Sequence, residues 1–346
     1  YLETVWPLLR MGDMADVDVG DLLDYLATDT KTRAILMYLE PVTNPRKFMS
    51  AARSAARIKP VIVVKSGRHE AAAKAAKSHT GALAGSDRVY NAAFRRAGIV
   101  RVDDLEDLFD AAEILSHSQP VSGDRLAIIT NGGGAGVLAV DELADKDGTL
   151  AILSEETMNK LNKVLPATWS KGNPVDLIGD AGPERYKAAL EAVISDPGVD
   201  AILVMNCPTA LASGTAVADV VVDIVKKQDT LKTVLTSWLG DGTAKEARRI
   251  FSSGNIPTFD TPADAIRGFT YMTAHRKAQI ALRRVPPAMP EGFKTDEGTA
   301  RNAMKDALQS GRELLSEVEA KTVLSAYGIP AVSTMTAKTP EDVRQC

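Results

Sequence analysis

The chain has 346 residues, of which 45% are hydrophobic and 25% charged, with a formal net charge of −4. That length suits two domains or three, and the near-neutral balance gives no basic field to draw nucleic acid or an anionic membrane. No apolar run approaches the roughly 20 residues of a membrane-spanning helix, and the opening YLETVWPLLRMGD lacks the basic and apolar regions of a signal peptide.

A start without Met and the abrupt end TPEDVRQC read as a piece cut from a longer polypeptide. Cys207 lies in the apolar run AILVMNCP and is expected as a buried free thiol, while Cys346 is the last residue. Two such cysteines build no disulfide framework, which points to a reducing, cytoplasmic setting.

In chain order, apolar runs at 34–39, 61–65, 126–130, 201–206 and 233–238 read as buried strands bounded by turn residues or proline. Helical patterns fall between them at 46–57, 87–97, 184–195 and 215–227. Strands alternating with helices predict α/β architecture with parallel sheets. The pattern occurs twice, each time with roughly four strand-helix steps, the size of a flavodoxin-like doubly wound domain. The first unit is placed at 1–120 and the second at 121–283. A polar linker with a helix near 297–311 fills 284–313, and 314–346 opens a third domain as helix, glycine turn and strand.

The richest segment is 59–102, KPVIVVKSGRHEAAAKAAKSHTGALAGSDRVYNAAFRRAGIVRV. Ligands of open α/β sheets bind beyond the carboxyl ends of strands, and Ser66-Gly67-Arg68 follows such an end. Ser78, His79, Thr80 and Gly81 then form a small-residue loop between two helical stretches. A neutral imidazole is a good nucleophile near physiological pH, and backbone N–H groups around it would hold a phosphate. A solvated or structural loop histidine fits the spacing as well, and that plainer reading also covers His69, His117 and His275.

The second element, LAIITNGGGAGVLAVDELA at 126–144, is strand, glycine turn and helix. Asn131, Gly132, Gly133 and Gly134 can turn several N–H groups on one anion at the positive end of the helix dipole. GGGAG does not match the dinucleotide fingerprint, and a tight turn without ligand is the alternative. Glu40 ends AILMYLE before Pro41, where its carboxylate could orient the His79 ring. A solvated strand-end acid is the plain alternative. Asp176 and Asp180, in NPVDLIGDAGPERY, carry only a weak case for catalysis. The strand-end loops lack an aromatic pair for an isoalloxazine ring, which makes a flavin site a poor reading.

These residues together resemble the NDP-forming acyl-CoA synthetase superfamily, which includes succinyl-CoA ligase and ADP-forming acetyl-CoA synthetase. The match is most specific at KSGR, SHTGALAGSD and YNAAFRRAGIVRV and extends over nearly the whole chain. It implies two tandem flavodoxin-like, succinyl-CoA-synthetase-like domains followed by the start of an ATP-grasp domain at Ser316–Thr334. It also implies that His79 carries phosphate, that Glu40, 39 positions earlier, steadies the phosphohistidine, and that Asn131–Gly134 start the helix that holds the phosphate. Acyl-CoA, phosphate and nucleotide become the expected substrates, with ATP/ADP, CoA and Mg bound in the full-length protein. CoA-binding and ATP-grasp domains are then the missing partners; two domains meeting around one histidine suggest a sizeable domain interface, and the oligomeric state, a homo-oligomer included, stays open. The stretches DVDVGDLLDYLATD and YLEPVTNPRKFMSAARSAARIKPVIVVKSGR look like fusions bearing a protein lysine acetyltransferase domain. A regulatory, acyl-CoA-sensing module of such an acetyltransferase is therefore the alternative to synthetase turnover.

Overall fold

The computed structural model describes Leu9, Met11, residues 14–68, 86–117, 120–228, 232–284 and 294–334, and Thr336, Ala337 and Thr339. His79 and its neighbours Ser78, Thr80 and Gly81 lie outside these residues, as do His69 and Cys346.

The first sheet has β1 (Ile35–Leu39), β2 (Val61–Lys65) and β3 (Val100–Val102), all parallel in the order β1-β2-β3. Central β2 is buried throughout, as an apolar run between two neighbours requires, and Lys65 is its one charged member. Helix α1 (Val19–Thr28) starts at Asp18 with a capping box to Asp21. Helix α2 (Pro45–Ile58) takes its cap from Asn44, and Pro45 opens its first turn. Its face of Phe48, Ala51, Ala52, Ala55 and Ala56 is buried. Helices α3 (Asp87–Ala97) and α4 (Leu105–His117) complete the covering of this sheet. Three strands are described here, where the sequence pattern suggests about four steps.

The second sheet has six strands. They are β4 (Arg125–Thr130), β5 (Thr149–Leu150), β6 (Val175–Asp176), β7 (Ala201–Asn206), β8 (Thr233–Trp238) and β9 (Thr258–Phe259). The order is β5-β4-β7-β8-β9, with β6 also on β4, and every pair is parallel. Helices α5 (Gly133–Asp145), α6 (Glu155–Val164), α7 (Pro183–Ile194), α8 (Gly214–Lys227), α9 (Thr243–Ser253) and α10 (Pro262–Arg283) connect or follow the strands. The larger core joins Ile129, Val204 and Trp238 of the sheet to Tyr186, Val217 and Phe251 of the helices. The 22-residue α10 serves both sheets. Its Ile266, Phe269 and Met272 join Leu126, Ile128 and Leu203, whereas Tyr271 packs with Ile62 and Val64, and Leu282 lies in the core of α2 and β1.

The free edge of β4 is split. Its beginning pairs with β5 and its end with β6. Between the two, the Asn173 side chain acts as a strand segment: Ile128 N–H donates to its Oδ1 at 2.9 Å, and its Nδ2 donates to the carbonyls of Leu126 (3.0 Å) and Ala151 (2.9 Å). One amide thus does the work of a backbone peptide unit, meeting the rule that backbone polar groups inside a fold are paired.

The long strands fall where the apolar runs place them. The two- and three-residue strands β3, β5, β6 and β9 have no counterpart among the predicted runs. A separate compact unit begins after Arg284 and contains α11 (Glu297–Gln309) and α12 (Glu317–Ala326), tied by the Asp296 N–H to Ala326 carbonyl bond at 2.8 Å. Gly328 turns with φ +70°, but residues 329–334 form no strand, a correction to the sequence expectation. A strand needs a neighbour for its N–H and C=O groups, and the described part of this unit holds none.

Asn173→Ala should cost about 2–4 kcal/mol, because it removes three hydrogen bonds, among them those of the Ile128 N–H and the Ala151 carbonyl, while the Leu126 carbonyl keeps the Ala151 N–H. Asn173→Asp should cost at least as much, since a carboxylate would face two carbonyl oxygens. Urea unfolding measures both, and losses under about 1 kcal/mol would refute the strand-substitute role.

Candidate functional site

Both sheets are parallel, so each gathers its strand ends along one edge. On the first sheet that edge carries Glu40, half-buried, one residue past β1. The chain around it is fixed on both sides. Ser66 N–H donates to the Leu39 carbonyl at 3.1 Å, and Val42 N–H donates to the Tyr90 hydroxyl at 3.2 Å. The Glu40 carboxylate makes no hydrogen bond or ion pair with any described residue.

Lys65, at the end of β2 and in register with Leu39, is 6% exposed. Its ammonium donates to the Ser66 carbonyl and sits over the Tyr90 ring, 4.6 Å from the centroid. Burial pushes its pKa below the usual lysine range, and neighbouring Arg101 adds to this, while Asp87 and Glu40 oppose it. Beside it opens a crevice of about 340 Å³ lined by Arg68, Asp87, Asn91, Arg101 and Asp103. Both arginines are paired there, Arg68 with Asp103 and Arg101 with Asp87 at 2.6 Å. Sequence reasoning did not single out Lys65 or Tyr90. The signal was a lysine closing an otherwise apolar strand run.

On the second sheet the edge carries the glycine turn. Asn131 is 4% exposed, and its amide bridges the ends of neighbouring strands: Nδ2 donates to the Cys207 carbonyl at 2.9 Å, and Oδ1 accepts from Cys207 N–H at 2.7 Å. Gly132 N–H donates to the Thr130 hydroxyl at 3.0 Å. The Asn131 side chain and the Gly132 amide are therefore spent on the turn itself. The first turn of α5 has no side-chain cap, so Gly133 and Gly134 are the predicted residues placed to offer N–H groups to an anion. A Cβ at Gly134 would meet nothing within 4 Å. Ligand atoms can approach from that side.

Two neighbours close the other sides of this turn. A Cβ on Gly132 would lie 2.4 Å from Cys207 Sγ, and one on Gly133 would lie 2.7 Å from Asp176 Oδ2. Asp176, at the end of β6, accepts from Ile178 N–H at 2.9 Å and so holds its carboxylate beside the helix start. The uncapped helix start can offer its N–H groups to an anion, and the Asp176 carboxylate beside Gly133 disfavours negative charge on that side. Cys207 is half-buried rather than buried as expected, because it lies one residue beyond β7 in this opening. Burial, and then the Asp176 charge, push its thiol pKa up, away from nucleophilic character.

The remaining candidates have structural duties. Asp180 pairs with Arg185 at 2.6 Å, which holds its carboxyl below the ordinary range. His275, on α10, contacts Gln279 at 3.3 Å, and burial lowers its pKa. His117 ends α4. Among the described residues no hydrogen bond or ion pair joins Glu40 to Asn131–Gly134.

Gly132→Ala should destabilise the protein by about 1–3 kcal/mol, the cost of overpacking a filled site. Adding Cys207→Ala should return part of that loss, because the clash is with the thiol. Chemical denaturation of the two single variants and the double variant checks this; strict additivity would exclude the contact.

Residues 7–115 match the family described as the succinyl-CoA ligase like flavodoxin domain, and residues 126–281 match the Ligase-CoA domain. The chain is 36% identical over 337 residues to acetate–CoA ligase [ADP-forming] I of Archaeoglobus fulgidus, covering 97% of this chain and 47% of that protein. It is 38% identical over 263 residues to the α subunit of acetate–CoA ligase [ADP-forming] I of Pyrococcus furiosus, covering 76% and 57%. Among solved structures, the dinucleotide-forming acetyl-coenzyme A synthetase 1 of Ca. Korarchaeum cryptofilum in complex with phosphate and ADP superposes with a TM-score of 0.74. It shares 34% identity over 81% of this chain and 61% of that one. The chain spans about half the length of the curated relatives it matches, and these relatives lend no support to an acetyltransferase fusion. Two ligase domains in tandem, with flavodoxin-like parallel sheets and strand ends carrying Glu40 and the glycine turn, place the chain in the NDP-forming acyl-CoA synthetase family.

Proposed function

We propose that the chain is the phosphoryl-carrying part of an enzyme that interconverts acyl-CoA, NDP and phosphate with carboxylate, CoA and NTP. Phosphate attacks the thioester carbonyl, the carbon–sulfur bond breaks, and CoA leaves as its thiol with an acyl phosphate formed. Neutral His79 then attacks phosphorus and releases the carboxylate. The phosphoryl group passes from His79 to NDP, giving NTP and restoring the neutral ring. CoA-binding and ATP-grasp parts beyond this chain supply the CoA and nucleotide sites, and Mg²⁺, when bound with the nucleotide, neutralises its phosphate charge. We read the unit after Arg284 as the opening of the ATP-grasp part.

The observation that carries this reading is the uncapped start of α5, with open space at Gly134. Backbone N–H groups there are fixed before any ligand arrives, so they stabilise a phosphoryl group without reorganising. Glu40 supports it from the other sheet, as a half-buried carboxylate without a partner among the described residues. It accepts a hydrogen bond from one His79 nitrogen and leaves the other free to attack. Ser78, Thr80 and Gly81 supply the backbone around the histidine.

Incubated with γ-labelled ATP and Mg²⁺, the assembled enzyme should take up acid-labile, base-stable phosphate, and His79→Ala should take up none. Absence of label from a folded enzyme that still binds nucleotide would overturn the reading. Glu40→Gln should lower the equilibrium yield of phosphohistidine roughly ten- to a hundredfold, the worth of one charge-assisted hydrogen bond of about 1.5–3 kcal/mol. Unchanged yield and lifetime would remove Glu40 from the mechanism.

A further inference from the structure

Lys65 has no part in the reaction as written above, yet its setting is unusual. Its ammonium is carried into the protein at the end of the central strand of the first sheet. A buried lysine is costly unless its charge is compensated. Its hydrogen-bond acceptor is the carbonyl of the next residue, Ser66, and among the described residues no carboxylate forms a salt bridge with it. What receives the charge is the face of Tyr90, 4.6 Å away, with Glu40 and Asp87 acting from farther off. An aromatic face attracts a cation most strongly where water is excluded.

Tyr90 does a second thing. Its hydroxyl accepts the Val42 N–H, two residues beyond Glu40, from helix α3, 48 positions away in the chain. Lys65 itself is in register with Leu39, one residue before Glu40, and the next residue, Ser66, holds the Leu39 carbonyl. The strand exit Leu39–Val42 is thus clamped before and after Glu40 by groups that meet at the Lys65–Tyr90 pair.

We propose that Lys65, seated on Tyr90, is a positioning residue for Glu40: together they fix the strand exit that carries this carboxylate. The proposal rests on the role given to Glu40 above. Other charged groups face the same space, namely Asp87 of α3, Arg101 of β3, and Arg68 with Asp103 across the crevice. Because Arg101 already pairs with Asp87 and Arg68 with Asp103, Glu40 is the carboxylate of this group that has no ion-pair partner among the described residues.

The test uses the assembled enzyme with Lys65→Met, Lys65→Arg, Tyr90→Phe, Glu40→Gln and the double variant Lys65→Met/Glu40→Gln. Methionine fills the buried stem without charge, so a retained melting transition shows that the protein stays folded. The readout is the yield and lifetime of acid-labile phosphate at a temperature well below melting. Lys65→Met is expected to shorten the lifetime at least tenfold, Tyr90→Phe to do so less, and Lys65→Arg to recover part of the loss. The double variant should fall no further than Glu40→Gln alone, because a residue acting through Glu40 has nothing to act on once the carboxylate is gone. A Lys65→Met lifetime equal to the parent's, or losses that multiply in the double variant, would overturn the proposal. A parent enzyme that takes up no label fails at the synthetase reading instead, so the two failures are distinguishable.

Discussion

The Asn131 amide is the constraint on which the second sheet's site depends. Strands β4 and β7 run parallel and adjacent, so they end side by side, and each would leave backbone groups unpaired where it stops. The Asn131 side chain takes one donor and one acceptor from Cys207 and closes that gap. A buried amide is tolerable only when both ends are satisfied, and here both are. With the two strand ends locked, Cys207 Sγ lies against Gly132 and leaves no room for a side chain there. The chain then turns into α5 with its first amides uncapped. Close approach of Cys207, one residue past β7, accounts for the first glycine of the run.

The third glycine is different, since a Cβ there would meet no described atom within 4 Å. Between the two, Gly133 faces Asp176, and Asp176 is delivered by the split edge of β4. The two-residue strand β6 pairs with Ile129 and Thr130 and ends at Asp176. It can reach that register because Asn173 has already filled the ladder between β5 and β6. An edge defect and a site carboxylate are therefore parts of one arrangement. The sequence NPVD holds both, with the asparagine working for the sheet and the aspartate facing the turn.

That division explains what could be read from residues alone. Strands such as AILVMN and VIVVK were legible because four or five consecutive apolar residues between turn signals have few other uses. Strands of two or three residues carry no period and were not legible; tertiary pairing makes them. The glycine turn was legible as strand, glycines and helix. Which of its amides remain free was not, because Thr130 consumes one of them through a contact that any hydroxyl near a turn could make. Cys207 read as core because it follows a core strand, but one residue past the strand end is already the crevice. Lys65 was hidden for the same reason in reverse: a lysine at a strand end is ordinarily solvated, whereas this one is buried with its ammonium over the Tyr90 ring of a later helix.

The charges at the two strand edges bear on how a phosphoryl group would be carried under the proposed mechanism. Around the first edge, among the described residues, the cations Lys65, Arg68 and Arg101 stand against the carboxylates Glu40, Asp87 and Asp103. Their formal charges cancel. At the second edge the positive end of α5 stands beside Asp176. Among the described residues neither edge presents an excess of fixed positive charge of the kind that traps a doubly negative group. A carrier that must give its phosphoryl group up again is served by such balance, since tight binding of an intermediate only deepens the well from which the next step climbs. Under the proposed mechanism the acids near the glycine turn and the strand end would keep a phosphohistidine transferable, while the backbone amides of α5 place and stabilise the group.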